Sequence, residues 1–135
     1  MTTVDVARLL RKFNARGPAR EELIREFQGR AGFELPEDYK QFLRRADGGE
    51  GFVGHAYVIL WPVEQLRELN DAYQVEEYAS GLLLFGSDGG GEAYAFDTRA
   101  AGKPIVSVPF VGMERQLARP MGADFREFLE RLSRS

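Results

Sequence analysis

The chain of 135 residues contains no cysteine and one histidine, His55. The lack of cysteine excludes a disulfide framework, a thiol nucleophile and thiolate-ligated zinc or iron–sulfur sites. A lone imidazole excludes every metal site built from several. Lysine is scarce, 3 residues against 15 arginines, a bias of composition rather than of chemistry. Long apolar runs are missing as well. The longest, Ala56 to Val63, falls far short of a membrane span. The opening Met1-Thr2-Thr3-Val4-Asp5 lacks the basic-then-apolar order of a secretory leader. These absences lead to the expectation of a soluble, cytoplasmic protein.

What is present suffices for one core. Hydrophobic residues make up 44% of the chain. Area scaling for this mass buries about two-thirds of the surface that the unfolded chain exposes. A single domain over residues 1–135 is therefore expected. Apolar residues recurring three and four apart mark five helices. The first, Thr3 to Asn14, aligns Val6, Leu9, Leu10 and Phe13. Gly17-Pro18 breaks the chain before Ala19 to Ala31, whose Leu23, Ile24, Phe27 and Ala31 share a face. The third opens at Leu35-Pro36-Glu37-Asp38, with proline in the first turn and acids behind it. Tyr39, Phe42, Leu43 and Ala46 form its stripe, and Gly48-Gly49 is read as its left-handed cap. Pro62 to Tyr73 is the fourth. The fifth, Asp124 to Leu132, opens on a capping box of Asp124 and Glu127.

Strands fill the middle: Phe52 to Trp61, Leu82 to Phe85, Ala93 to Asp97 and Ile105 to Val111. Pro109 suggests an edge or a bend in the last of these, and an unpaired edge there would permit a monomer or a weak homodimer. Successive strands with short links favour antiparallel pairing. The expected class is α+β, a mainly antiparallel sheet of about four or more strands packed with four to five helices.

Three stretches resemble the signatures of the SUKH superfamily: Glu34-Leu35-Pro36-Glu37-Asp38-Tyr39 through Asp47-Gly48-Gly49, then Leu84-Phe85-Gly86-Ser87-Asp88-Gly89-Gly90-Gly91-Glu92 through Asp97, then Ala123-Asp124-Phe125-Arg126-Glu127-Phe128-Leu129. The resemblance implies a small α+β domain without catalysis. That family includes the fungal cell-wall assembly regulator and bacterial immunity proteins that neutralise toxins, often nucleases. Only structural roles transfer: Leu35 and Pro36 at a helix start, Gly48 and Gly49 at its end, and Gly86, Asp88 and Gly91 shaping a strand connection.

Charge is unevenly spread. Residues 1–45 carry +3, residues 46–97 carry -9 with Arg67 as the sole cation, and residues 98–135 carry +3, summing to the net -3. Such a segment either meets a basic partner or is balanced by arginines from its flanks. A basic stripe of the kind nucleic acid requires is missing. The candidate partner-binding residues are Asp47, Glu50, Asp71, Glu76, Glu77, Asp88 and Glu92, with Tyr57 or Trp61 supplying apolar contact.

No catalytic, cofactor or metal site is signalled. The glycine-rich 86–91 loop lacks the Gly-Lys-Ser/Thr ending of a phosphate loop, and Asp88, Glu92 and Asp97 do not match a calcium loop. His55, Ser87 and Asp88 lack the nucleophile-elbow pattern; His55 is read as a polar strand residue. The leading expectation is a non-enzymatic immunity protein that occludes a basic toxin. The alternatives are a regulatory or scaffold module in cell-envelope or stress physiology, and a small hydrolase.

Overall fold

A computed structural model describes residues 2–134. The elements follow in the order α1 (Thr2–Leu9), β1 (Phe13–Ala15), α2 (Glu21–Ala31), α3 (Glu37–Arg45), β2 (Gly49–Val53), β3 (Ala56–Leu60), α4 (Val63–Ala72), α5 (Val75–Tyr78), β4 (Leu82–Ser87), β5 (Glu92–Asp97), β6 (Ile105–Pro109), a short 3-10 turn (Arg115–Leu117), β7 (Arg119–Gly122) and α6 (Phe125–Ser133). The seven strands form one sheet in chain order, every neighbouring pair antiparallel. This is the expected α+β class.

Several boundaries differ from the sequence reading, each for a local reason. Phe13 continues the apolar stripe of α1 but begins β1, paired with Gly51. The run Phe52 to Trp61 is a hairpin rather than one strand. Val53 pairs with Ala56 across Gly54 and His55, and Gly54 takes the left-handed backbone (φ +65°) that such a turn needs. His55 therefore lies in a turn. Strand β6 is not a sheet edge, because residues 105–107 pair with β7 as well as with β5; Pro109 lies past that β7 pairing, opposite Glu92 of β5 alone. The edge belongs to β7, whose Arg119-Pro120-Met121-Gly122 carries no β-branched or aromatic signal.

Helix α3 ends at Ala46 in extended conformation, so Gly48 and Gly49 are not its left-handed cap. Gly48 serves another purpose. Its backbone lies so close to β3 that an added Cβ would sit 2.4 Å from the Leu60 carbonyl oxygen. Pro36 is the residue before the first turn of α3, one position earlier than expected, and Leu35 is buried in the core. At α6 the expected cap forms in a shifted version: Asp124 accepts the Glu127 N–H at 2.9 Å, while Glu127 reaches back past the capping residue to the Ala123 N–H at 2.9 Å.

The stripes of α3 and α6 meet on one face of the sheet. The Tyr39 ring lies 5.4 Å from Phe85, 5.0 Å from Phe96 and 5.5 Å from Phe125. Phe128 packs edge-on to Phe85 and Tyr94. A bulge between Leu84 and Gly86 turns Phe85 into this cluster. Burying each such ring stabilises the fold by about 1.5–3 kcal/mol before the entropy of ordering it. The opposite face of β2 and β3 carries no helix stripe of this kind, and it bears the candidate site.

Candidate protein-docking site

Strict alternation builds this surface. Along β2, Gly51 and Val53 are buried while Glu50 and Phe52 are exposed; along β3, Val58 and Leu60 are buried while Tyr57 and Ile59 are half-buried. The register sets Glu50 opposite Ile59 and Phe52 opposite Tyr57. All four side chains therefore stand on the same side of the sheet. Phe52 is 48% exposed. Its ring meets that of Tyr57 edge-on at 5.2 Å, and the Tyr57 hydroxyl donates to the Glu50 carboxylate. That bond, with some help from burial and from the Glu50 charge, raises the pKa of the phenol above the usual value.

The β4–β5 hairpin borders this patch. Gly89 lies against Tyr57 and Ile59, where an added Cβ would be 3.3 Å from Tyr57 Cδ2. Asp88 shapes the tip: its Oδ1 accepts the N–H of Gly90 at 2.7 Å and of Glu92 at 3.2 Å. Asp88 and Glu92 are both partly exposed. Burial, and then the charges of Asp88 and Glu92, push the Tyr94 phenol up to about 12.

A second aromatic group follows along the same strand. Trp61 stacks on Tyr73 at 6.2 Å, and Tyr73 meets Phe110 at 4.7 Å. Trp61 itself is only 8% exposed, whereas Tyr73 is 41% exposed. The indole is thus a core group roofed by Tyr73 rather than a free anchor. Phe52, Tyr73 and, on α5, Tyr78 are exposed rings outside the docking residues that the sequence reading names. The alternation of Gly49, Gly51 and Val53 with Glu50 and Phe52 was the available signal for Phe52.

The acidic segment does not converge as one surface. Asp47 turns inward, 8% exposed, and accepts the Val63 N–H at 2.8 Å, holding the first turn of α4. It leaves the set of docking residues. Asp71 lines a cleft of about 460 Å³ between α2 and α4, with Glu26, Arg30, Glu64, Arg67 and Glu68. Glu76 and Glu77 belong to α5, where Glu76 accepts from the Ser80 hydroxyl at 2.9 Å. Glu50 and Asp88 border the Tyr57 patch, whereas Glu92 shares its face of β5 with Tyr94, which packs on Phe128 of α6, and leaves the set of docking residues.

One electrostatic property is nevertheless shared. Among the described residues, no acid from Asp47 to Glu92 forms an ion pair, and Arg67 pairs with none of them. The acids that are paired lie elsewhere: Glu22 with Arg20, Glu21, Glu34 and Glu37 with Lys40 and Arg44, Asp97 with Arg115, and Glu130 with Arg126. The flanking cations are spent on these partners and on solvent. Glu92 and Asp97 stand at opposite ends of β5, about 17 Å apart at the usual rise per residue. Ser87 is buried in β4 and donates nothing to His55; its hydroxyl oxygen accepts the Gly89 N–H at 3.1 Å.

Comparison with known proteins finds a match to the model of the SMI1 / KNR4 family (SUKH-1) over residues 18–131. No curated protein matches the chain. The matched span covers α2 to α6 and every residue of the Tyr57 patch.

Proposed function

This chain belongs to the SMI1 / KNR4 family (SUKH-1), and on that premise we propose that it is a non-catalytic protein-binding module, an immunity protein that neutralises a basic bacterial toxin domain by covering it. The observation that carries the reading is the exposed Phe52–Tyr57 pair beside Glu50, a carboxylate with no cation of its own. Aromatic rings of this kind anchor interfaces because they bury much area at little entropic cost. Unneutralised carboxylates at the rim, Glu50 and Asp88, attract a cationic surface, speed encounter and reject acidic partners. A nuclease, whose own surface is built to hold phosphate, presents such cations.

An interface of ordinary size needs about 800 Å² from each partner, about a tenth of the 7452 Å² surface of this chain. The docking residues of this reading are Glu50, Phe52, Tyr57, Ile59 and Asp88, with Tyr73 at the far end. The test is direct. The protein encoded next to this chain is purified and mixed with it at equal concentration. The reading expects a one-to-one complex and loss of the toxin's activity. An active toxin that does not bind, while the chain is folded, overturns it. Binding to an envelope or stress protein of the same cell would support the regulatory alternative instead.

A further inference from the structure

We propose that a second site, adjoining the docking face at Phe52, binds a phosphate group at the corner where α1 meets the β2–β3 turn. Arg8, Arg11 and Lys12 from the end of α1 and the turn after it, and His55 from the hairpin, line a recess of about 180 Å³ with Phe52 and Gly54 at its walls. Among the described residues the lining contains no carboxylate, and none of these four basic groups has an ion-pair partner. The helix dipole accounts for a cation at Arg8, in the last turn of α1. It does not account for His55, which arrives from a different element.

The recess is held by backbone rather than by long side chains. The Phe52 N–H donates to the Lys12 carbonyl at 3.3 Å, which ties the turn after α1 to β2. The backbone of Gly54 lies against the end of α6, where an added Cβ would fall 2.4 Å from the Ser133 carbonyl oxygen. Both walls are thus fixed before any ligand arrives, which lowers the cost of ordering them. Guanidinium groups match the oxygen spacing of a phosphate, and a lysine adds a point charge. A recess of this size admits a tetrahedral anion.

The chemistry is that of a phosphate group, whether free, on a nucleotide or on a lipid headgroup. The full chain, labelled with nitrogen-15, is titrated separately with inorganic phosphate, with ATP and with phosphatidylcholine vesicles containing phosphatidic acid. Saturable amide shifts confined to residues 8–12 and 52–55 are expected with at least one probe, and the probe that saturates at the lowest concentration identifies the source. The double variant Arg11→Ala/Lys12→Ala changes exposed residues, and its fold is checked by the unchanged amide shifts of α3 and α6. It should bind that probe at least tenfold more weakly, about 1.4 kcal/mol; His55→Ala should weaken it in the same direction. Absence of saturable shifts with all three probes, or equal binding by the double variant, overturns the site.

Discussion

The side-chain amide of Asn70 occupies both backbone groups of Leu84: its Nδ2 donates to the Leu84 carbonyl at 2.9 Å and its Oδ1 accepts the Leu84 N–H at 2.9 Å. Strand β3 pairs with β4 only at Ser87 and Gly86, so Leu84 has no strand partner on that side. Asn70, carried by α4, stands in for the missing peptide unit and fixes the helix to the sheet. Asn70→Leu strips two backbone groups of their partners at once. A loss of about 2–6 kcal/mol is expected, from about 1–3 kcal/mol for each of the two groups left unpaired. Urea unfolding measures it, and a loss below about 0.5 kcal/mol would contradict the role.

Asp38 supplies a pH-dependent prediction. Its Oδ2 accepts the Phe125 N–H at 2.8 Å and holds the start of α6, yet burial outweighs these bonds and raises its pKa above 3.8. A carboxyl raised in the folded state contributes stability that is full below 3.8 and is lost as pH climbs through the raised value. Asparagine keeps the acceptor and cannot ionise. Asp38→Asn should therefore match the parent below pH 3.8 and unfold at a higher urea concentration at neutral pH. An unchanged difference at the two pH values would contradict the assignment.

The glycines of the second signature separate by geometry. A Cβ on Gly86 would lie 2.4 Å from the Ile59 carbonyl oxygen, whereas one on Gly91 meets nothing within 4 Å and its φ is not positive. Gly86→Ala should cost about 3 kcal/mol or more, comparable with severe overpacking, because backbone must move. Gly91→Ala should change stability by about 0.5 kcal/mol or less. Thermal unfolding of the pair decides; equal effects would contradict the account. The sequence reading had assigned both glycines a shaping role, and only Gly86 has one.

Much of the helical frame was readable because its periods are long and clean. Tyr39, Phe42 and Leu43, and Phe125, Phe128 and Leu129, lie where their spacing places them, in one shared core. The failures have specific causes. Phe13 satisfies a helical stripe and a strand equally well. Strand β7 has a proline, a glycine and an exposed arginine in four residues, so its pairing is imposed by β6 and not by propensity. Helix α5 is a single turn of four residues, too short for a period. The docking site was legible in charge but not in place. No linear pattern shows that Asp47 folds inward to the start of α4, or that Trp61 ends beneath Tyr73. The Tyr57–Glu50 bond depends on a hairpin turn at Gly54-His55 that the apolar run around it concealed.

The contribution of the docking face is best measured by mapping. The amide shifts of this chain are recorded as the protein encoded beside it is added. The account predicts that the largest changes centre on Glu50, Phe52, Tyr57 and Gly89, and that Phe52→Ala with Glu50→Lys weakens the complex at least a hundredfold, about 2.8 kcal/mol. Changes centred instead on the cleft between α2 and α4, with that double variant binding as tightly as the parent, would contradict it.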